Sequence, residues 1–218
     1  MSDWQQTLLA GWQAMSGWEL VAVLLSLAYL LLAMRQNNLC WYAAFVSTAI
    51  FTVLFWDASL LMESALQVYY LAMALYGWYQ WRNGDTGRNE PLSISRWSLS
   101  RHLLAIAGVL LLTLISGGLL AGNTSAALPY LDSFTTWGAV LTTYMVTRKI
   151  LENWLYWLVI DGLSIYLYLD RGLLLTAGLF CLYELIVVFG FIRWYREYRQ
   201  AARVGFSRPA AHRATAQA

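Results

Sequence analysis

The stretch that decides the fold is RKILENWLYWLVIDGLSIYLYL, from Arg148 to Leu169, in which two basic residues precede twenty that are mostly apolar or aromatic. A hydrocarbon core about 30 Å thick requires roughly 17 to 25 apolar residues in a helix. The segment from Ile150 to Leu169 therefore predicts a transmembrane helix with a basic flank. Since 60% of the chain is hydrophobic and 12% charged, with a mean hydropathy of +0.51, a soluble globular domain is a poor interpretation.

Six further apolar segments bring the total to seven. They run approximately over Trp18–Met34, Leu39–Trp56, Leu60–Trp81, His102–Leu120, Ser133–Thr147 and Leu173–Trp194. Threading all seven through a bilayer places thirteen of the 14 Lys and Arg residues on one side and leaves Arg171 alone on the other. The positive-inside rule then predicts an outside N-terminus and an inside C-terminus. A missing or additional segment would destroy this partition, so the charges also support the count of seven.

We expect an all-α integral membrane protein with two bundles of three helices. The predicted regions are a periplasmic N-terminus (1–17), a first bundle (18–81), a cytoplasmic loop (82–101), a linker helix with an outer loop (102–132), a second bundle (133–195) and a cytoplasmic tail (196–218). The tail is polar from Tyr198 onward and is expected to be flexible. Cys40 and Cys181 lie inside apolar segments, where buried free thiols are expected rather than a disulfide.

A weak internal repeat supports this division. At an offset of 113 residues, Arg35, Asp57, Tyr70, Gly77 and Trp81 recur as Arg148, Asp170, Tyr183, Gly190 and Trp194. Asn37 and Trp41 recur as Asn153 and Trp157 at an offset of 116, which requires a gap of three residues. Because one helix separates the bundles, corresponding helices run in the same direction. Such a parallel repeat is typical of transporters whose binding site lies between the two halves.

Polar residues in the sixth segment predict a site inside the membrane. Asn153, Trp157, Asp161 and Ser164 are spaced by four, four and three residues and therefore share one helical face. A carboxylate near the middle of a span costs roughly 2.5 to 3.5 kcal/mol on insertion scales unless it faces a wet cavity or a partner. Asp161 is the strongest candidate for contact with a ligand. The alternative is a hydrogen bond between helices.

Other segments contribute further candidates. They are Gln67 and Tyr70 in the third segment, Tyr183 and Glu184 in the seventh, and Trp41 with Asn37 at the inner end of the second. Trp41 and Trp157 each follow an asparagine by one helical turn. An amide that forms hydrogen bonds and an indole that stacks are suited to a flat, polar ring.

Several chemistries are excluded by the residues themselves. His102 and His212 lie near or beyond helix ends, so neither a Ser/His dyad nor a His-based zinc site is predicted within the membrane. The single lysine, Lys149, lies outside the seventh segment, where a retinal Schiff base would be formed. No P-loop is present, and the net charge of +2 reflects arginines beside the membrane, not nucleic-acid binding. We predict no enzymatic activity and no cofactor.

Longer motifs resemble those of a known family. The run from Glu152 to Trp157 with Asp161 downstream, Tyr166-Leu-Tyr168, Gly172-Leu, and the last helix ending Gly190-Phe-Ile-Arg-Trp194 resemble the second half of PnuC-type nicotinamide riboside transporters. The run from Tyr76 to Trp81 is similar to the same family, and the resemblance extends over about residues 18 to 196.

The resemblance implies a bacterial inner-membrane protein with a three-plus-one-plus-three helix fold like that of full-length SWEET transporters, assembled as a homotrimer. It also implies facilitated diffusion of nicotinamide riboside, which a cytoplasmic kinase then traps. The implied binding residues are Asn153, Trp157, Asp161, Gln67, Tyr70 and Trp41, with Tyr183 and Glu184 as additional members. Two alternatives stay open: a facilitator of another vitamin or a sugar-like solute, and a seven-helix receptor, for which a parallel repeat has no evident use.

Overall fold

The structure is a computed structural model that describes residues 11, 15–57, 61–84, 92–123, 128–170 and 172–206. Within these ranges the chain forms seven helices: α1 (Gly17–Met34), α2 (Cys40–Asp57), α3 (Leu61–Asn83), α4 (Leu99–Asn123), α5 (Pro129–Thr147), α6 (Asn153–Asp170) and α7 (Leu174–Phe206). The prediction of an all-α protein with helices in the seven apolar segments is confirmed. Most of the predicted N-terminal region, parts of both long loops, Arg171 and residues 207–218 lie outside the described residues.

Four of the seven helices are long and apolar enough on their own to cross a membrane. These spans are Gly17–Met34, Cys40–Asp57, Leu99–Asn123 and Leu174–Arg203. The other three helices, α3, α5 and α6, carry more polar residues, which include the candidate residues of α3 and α6. The last helix continues beyond Trp194 to Phe206, so the expectation that the chain is flexible from Tyr198 onward is wrong for the described part of the tail.

Six helices form a closed ring. Going round it, each helix packs against the next in the order α1, α2, α3, α5, α6, α7, and α7 packs against α1 again. Among the described residues, α4 packs only against α5, on the outside of the ring. Its surface is largely exposed and leucine-rich, as Leu103, Leu104 and Leu114 show, which is typical of a helix in contact with lipid.

Helix ends recur at the offset of 113 residues without any gap. Helices α2 and α6 begin at Cys40 and Asn153 and end at Asp57 and Asp170. The residues that terminate α1 and α5, Gln36 and Lys149, both adopt left-handed backbone, with φ of 52° and 49°. The next amide in each case, Asn37 and Ile150, donates to a carbonyl five residues earlier, Leu32 and Met145, at 2.9 Å. Both helices therefore end in the same Schellman-type turn.

The predicted three-residue gap is wrong, because Trp154 and not Trp157 occupies the place that corresponds to Trp41. Trp41 packs against Gly77, where any side chain would overlap its ring, and Trp154 packs in the same way against Gly190. Trp41 meets Trp81 edge-on at 5.2 Å and 84°, while Trp154 meets Trp194 at 5.3 Å and 85°. Trp81 and Trp194 lie 6.0 Å apart and join the two pairs. We call Trp41, Trp81, Trp154 and Trp194 the tryptophan cluster.

The tryptophan cluster closes one end of the ring. Its four side chains are 0 to 4% exposed and pack with Ala33, Cys40, Ala74, Val146, Leu151 and Val187. The indole of Trp81 in α3 donates to the carbonyl of Val146 near the end of α5 at 3.1 Å. The indole of Trp194 in α7 donates to the carbonyl of Ala33 near the end of α1 at 3.2 Å. Both bonds join helices of the first bundle to helices of the second.

A short extended segment before α4 braces the connection between α5 and α6. Ser95 pairs with Ile150 in a parallel β-bridge, in which the amide of Ser95 donates to Lys149 at 3.0 Å and the amide of Leu151 donates to Ser95 at 2.8 Å. The Arg96 side chain also forms a 2.6 Å ion pair with the buried Glu152. That hydrogen bond and the carboxylate charge raise the pKa of Arg96 above its usual value.

The corresponding connection between α1 and α2 has a lighter attachment. Among the described contacts of this connection with α7, the side-chain amide of Gln36 donates to the carboxylate of Glu197. The two cysteines are free, as predicted. Cys40 is fully buried beneath the tryptophan cluster, whereas Cys181 is exposed on α7, contrary to the expectation that both thiols are buried.

Candidate functional site

The polar face predicted for α6 exists and points inward. Asp161 is the ninth residue of this 18-residue helix, and it is 5% exposed. Asn153 and Ser164, on the same face, are also buried, and Trp157 is half-buried against the tryptophan cluster. With a rise of about 1.5 Å per residue, Asp161 lies roughly 12 Å along the helix from Asn153. The face therefore extends from the tryptophan cluster to the middle of the ring.

Three helices bring polar groups to Asp161. Its carboxylate interacts electrostatically with Glu184 and Tyr183 on α7 and with Tyr70 on α3. Tyr70 and Tyr183 are each the tenth residue of their helices, so the two phenols reach the centre from related positions. The structure thus brings together four of the predicted site residues: Asp161, Tyr70, Tyr183 and Glu184.

Helix α1 contributes two groups that the sequence analysis missed. The Ser26 hydroxyl lies 2.7 Å from the hydroxyl of Tyr183. The Tyr29 phenol interacts with Tyr70, and its ring lies 5.9 Å from that of Trp41. No polar pattern marks α1, because Ser26 and Tyr29 are isolated in a leucine-rich sequence and the repeat provides no counterpart for either. Only the closure of the ring, which places α1 beside α7, reveals them.

The remaining predicted residues have different surroundings. Gln67 is half-buried on α3, one turn before Tyr70. Trp41 and Asn153 are enclosed at 2% and 0% exposure, so a ligand could reach them only if the tryptophan cluster separated. Asn37 is exposed, and its side-chain oxygen accepts a hydrogen bond from the amide of Leu39 at 2.9 Å. The structure therefore places Asn37 in the turn that leads into α2, apart from the other candidates.

Several buried polar atoms along the ring have no hydrogen-bond partner among the described residues. They are the indole nitrogens of Trp41 and Trp154, the side-chain oxygen Oδ1 of Asn153, and Oε2 of Glu184. The amide nitrogen of Asn153 does have a partner, since it donates to Ile150 at 2.6 Å. Buried polar atoms are nearly always satisfied by protein, water or ligand. Donors and acceptors are therefore available for a solute that carries both amide and hydroxyl groups.

Positive charge is kept away from this region. Every described Lys and Arg lies in a connection, near a helix end or in the last third of α7. The centre of the ring consequently offers carboxylates, phenols and indoles with no basic side chain to balance them. Such an environment favours a cation, because a carboxylate and aromatic faces both attract positive charge.

Comparison with known proteins gives consistent results. A sequence model of the family described as "Nicotinamide mononucleotide transporter" matches residues 16–196. The nicotinamide riboside transporter PnuC of Escherichia coli is 24% identical over 216 residues, covering 88% of this chain and 90% of that protein. The riboflavin/roseoflavin transporter RibM of Streptomyces davaonensis is 25% identical over 199 residues, covering 85% and 87%.

One solved structure shares the fold. The crystal structure of the vitamin B3 transporter PnuC superimposes with a TM-score of 0.64 at 20% sequence identity. The match covers 83% of this chain and 81% of that chain. At this level of identity the likeness concerns the arrangement of the helices alone.

Proposed function

This chain belongs to the nicotinamide mononucleotide transporter family, and from that premise we propose that it carries nicotinamide riboside into the cytoplasm by facilitated diffusion. It is a multi-pass membrane transporter and not an enzyme, as its relatives are. The observation that carries the proposed substrate is the buried Asp161 in the middle of α6, surrounded by phenols and carboxylates without a basic side chain.

The chemistry of nicotinamide riboside matches these groups. Its pyridinium ring is a flat cation, and an aromatic face such as that of Trp157 stabilises a cation by ~0.5 to 2 kcal/mol, with the upper value reached when the pair is desolvated. The amide and ribose hydroxyls provide partners for Gln67 and for the unpaired oxygen of Asn153. Asp161 balances the positive charge or accepts a ribose hydroxyl proton.

Movement of a cation requires no coupling ion in this scheme. A membrane potential of about 100 mV, negative inside, favours entry of one positive charge by roughly 2.3 kcal/mol. Phosphorylation by a cytoplasmic riboside kinase would then trap the product. A phosphate group would meet no Lys or Arg in the centre of the ring and would remain unpaired there, so return of the phosphorylated product is disfavoured.

We propose the bacterial inner membrane as the location, with the N-terminus outside and the C-terminus inside, in accordance with the distribution of basic residues. The recurring helix ends and the paired tryptophans support a parallel three-plus-one-plus-three repeat of the SWEET type, with α4 as the linker. We further propose a homotrimer, as the family resemblance implies.

Uptake into proteoliposomes tests the proposal directly. Labelled nicotinamide riboside should enter vesicles that contain the protein, faster with a potential negative inside, while nicotinamide mononucleotide should be excluded. Comparable uptake of the riboside and the mononucleotide would contradict the proposed selectivity. Empty vesicles prepared from the same lipid provide the background.

A riboflavin-type vitamin is the second candidate, because the RibM relative is as similar in sequence as the PnuC relative. Riboflavin is uncharged, so it has no need of a central carboxylate. Competition by excess unlabelled riboflavin in the same uptake assay separates the two candidates. Strong inhibition by riboflavin, together with weak uptake of the riboside, would favour the second candidate.

A further inference from the structure

The last helix is longer than a membrane crossing requires. With 33 residues at about 1.5 Å each, α7 extends roughly 50 Å, whereas the hydrocarbon core is about 30 Å thick. The part beyond Trp194 therefore reaches the headgroup region and the solution beyond it. One face of this part lines a groove of about 360 Å³. We call it the basic groove; it is formed by Phe191, Ile192, Tyr195, Arg196, Arg199 and Arg203.

Polarity changes along the basic groove in one direction. Phe191 and Ile192, nearest the membrane centre, are apolar. Tyr195 follows, with its ring stacked on that of Phe191 at 5.9 Å. The Arg199 guanidinium lies 5.8 Å from the centre of the Tyr195 ring, one turn further out. The groove thus passes from apolar through aromatic to cationic surface, which is the order of acyl chain, interface and headgroup in a phospholipid.

The acidic residue nearest the basic groove is already engaged. Glu197 forms a 3.0 Å ion pair with Arg193 and also accepts a hydrogen bond from Gln36. Among the described residues, no carboxylate lies within ion-pair distance of Arg196 or Arg199. Both guanidinium groups are exposed, and each can present parallel N–H donors to a phosphate.

We propose that the basic groove binds the phosphate of an anionic phospholipid, with the upper part of an acyl chain lying along Phe191 and Ile192. A polybasic segment immediately beyond a membrane helix is a recognised site for anionic lipid. The adjoining apolar surface distinguishes this groove from a site for a free anion, which would gain nothing from Phe191 and Ile192. The site is independent of the transported solute.

Lipid binding can be measured on the full-length protein purified in detergent. Native mass spectrometry should show more bound phosphatidylglycerol than phosphatidylcholine at equal concentration. The double variant Arg196→Gln/Arg199→Gln should carry several-fold less phosphatidylglycerol, with little change in phosphatidylcholine. If this variant does not purify as a folded protein, Arg199→Gln alone, at an exposed position, should give a smaller loss in the same direction.

A matched control removes two charges elsewhere. Arg35 and Arg101 are exposed at the ends of other helices, so Arg35→Gln/Arg101→Gln should retain the bound phosphatidylglycerol. Equal loss in both double variants would overturn the proposal in favour of a general charge effect. Undiminished binding in the Arg196/Arg199 variant would overturn it as well. Displacement of the lipid by millimolar inorganic phosphate would identify a soluble-anion site instead and would equally refute it.

Discussion

The indole of Trp81 donates a 3.1 Å hydrogen bond to the carbonyl of Val146 and so ties α3 to the end of α5. The bond from Trp194 to Ala33, 113 residues further along at both partners, ties α7 to the end of α1 in the same way. Because the ring is closed at these two junctions, both bonds hold the helices together around the tryptophan cluster. Opening of this end would have to break or rearrange them.

Trp81→Phe and Trp194→Phe should loosen the tryptophan-cluster end, since each keeps most of the ring and removes one donor. A hydrogen bond contributes about 0.5 to 1.5 kcal/mol, which corresponds to roughly a two- to tenfold change in the open population. Cys40 is fully buried beneath the cluster and can report the change. In a Cys181→Ser background, a membrane-impermeant maleimide should label Cys40 several-fold faster in either variant.

Trp78→Phe is the control for this experiment. Trp78 is half-buried on the same helix as Trp81, but it faces Tyr42 and Arg82 outside the tryptophan cluster. Its labelling rate should equal that of the parent protein. Unchanged labelling in both the Trp81 and Trp194 variants would show that the two hydrogen bonds do not limit opening.

Asp161→Asn should preserve the fold and weaken binding of nicotinamide riboside, because the amide keeps the shape of the carboxylate but loses its charge. Hydrogen bonds to charged groups contribute about 1.5 to 3 kcal/mol, so a loss of tenfold or more in affinity is expected. Isothermal titration calorimetry on the purified variant measures this loss. Affinity equal to that of the wild type would assign Asp161 a structural role between helices.

Trp157→Ala should lower the affinity for the riboside several-fold, by roughly 1 to 2 kcal/mol, through loss of an aromatic face. Trp157→Phe should recover part of the loss. The same titration distinguishes the two variants. If alanine and phenylalanine bind equally well, the indole packs against its neighbours and does not contact the ligand.

Lys149 predicts a specific dependence of stability on pH. It is 6% exposed, with its ammonium 4.6 Å from the centre of the Trp81 ring, and burial lowers its pKa to about 8. The unfolded value is about 10.4, so between these limits the unfolded chain binds more protons and stability rises with pH. The melting temperature should increase by on the order of 5 °C from pH 8 to pH 10 through this group. Lys149→Met should lack that increase; parallel pH profiles would contradict the assignment.

Reporter fusions test the proposed orientation. Fusions at residue 90, in the loop between α3 and α4, and at the C-terminus should both report the cytoplasm, because basic residues concentrate on that side. Detection of the two fusion points in different compartments would be incompatible with seven membrane crossings.

The sequence predicts the helices well, because apolar segments of membrane length leave little choice of secondary structure. It predicts the relation between the bundles less well. The similarity of two Asn and Trp pairs suggested a gap that placed Trp157 opposite Trp41. The contacts of Trp41 with Gly77 and of Trp154 with Gly190 exclude this gap. The glycines at the constant offset of 113 carried the correct register, since only glycine permits so close an approach.

The candidate site was predictable only where polarity is unexpected. A carboxylate such as Asp161 inside an apolar helix is conspicuous, and so is Gln67. Ser26 and Tyr29 are ordinary in a membrane helix, and their importance depends on the packing of α1 against α7. Asn37 was selected because it is polar and near Trp41, but a residue in a tight turn is polar for local reasons, as its bond to Leu39 shows.

The brace formed by Ser95 and Arg96 makes the two halves of the molecule unequal in stiffness. Main-chain hydrogen bonds and an ion pair restrain the connection that contains Lys149 and Glu152. At the related turn in the first half, Gln36 is attached to α7 by a single side-chain contact with Glu197. Any rearrangement at this end should therefore be borne mainly by the first half, which would pivot while the second stays still. Two halves with similar sequences would then act as moving and stationary parts of one device.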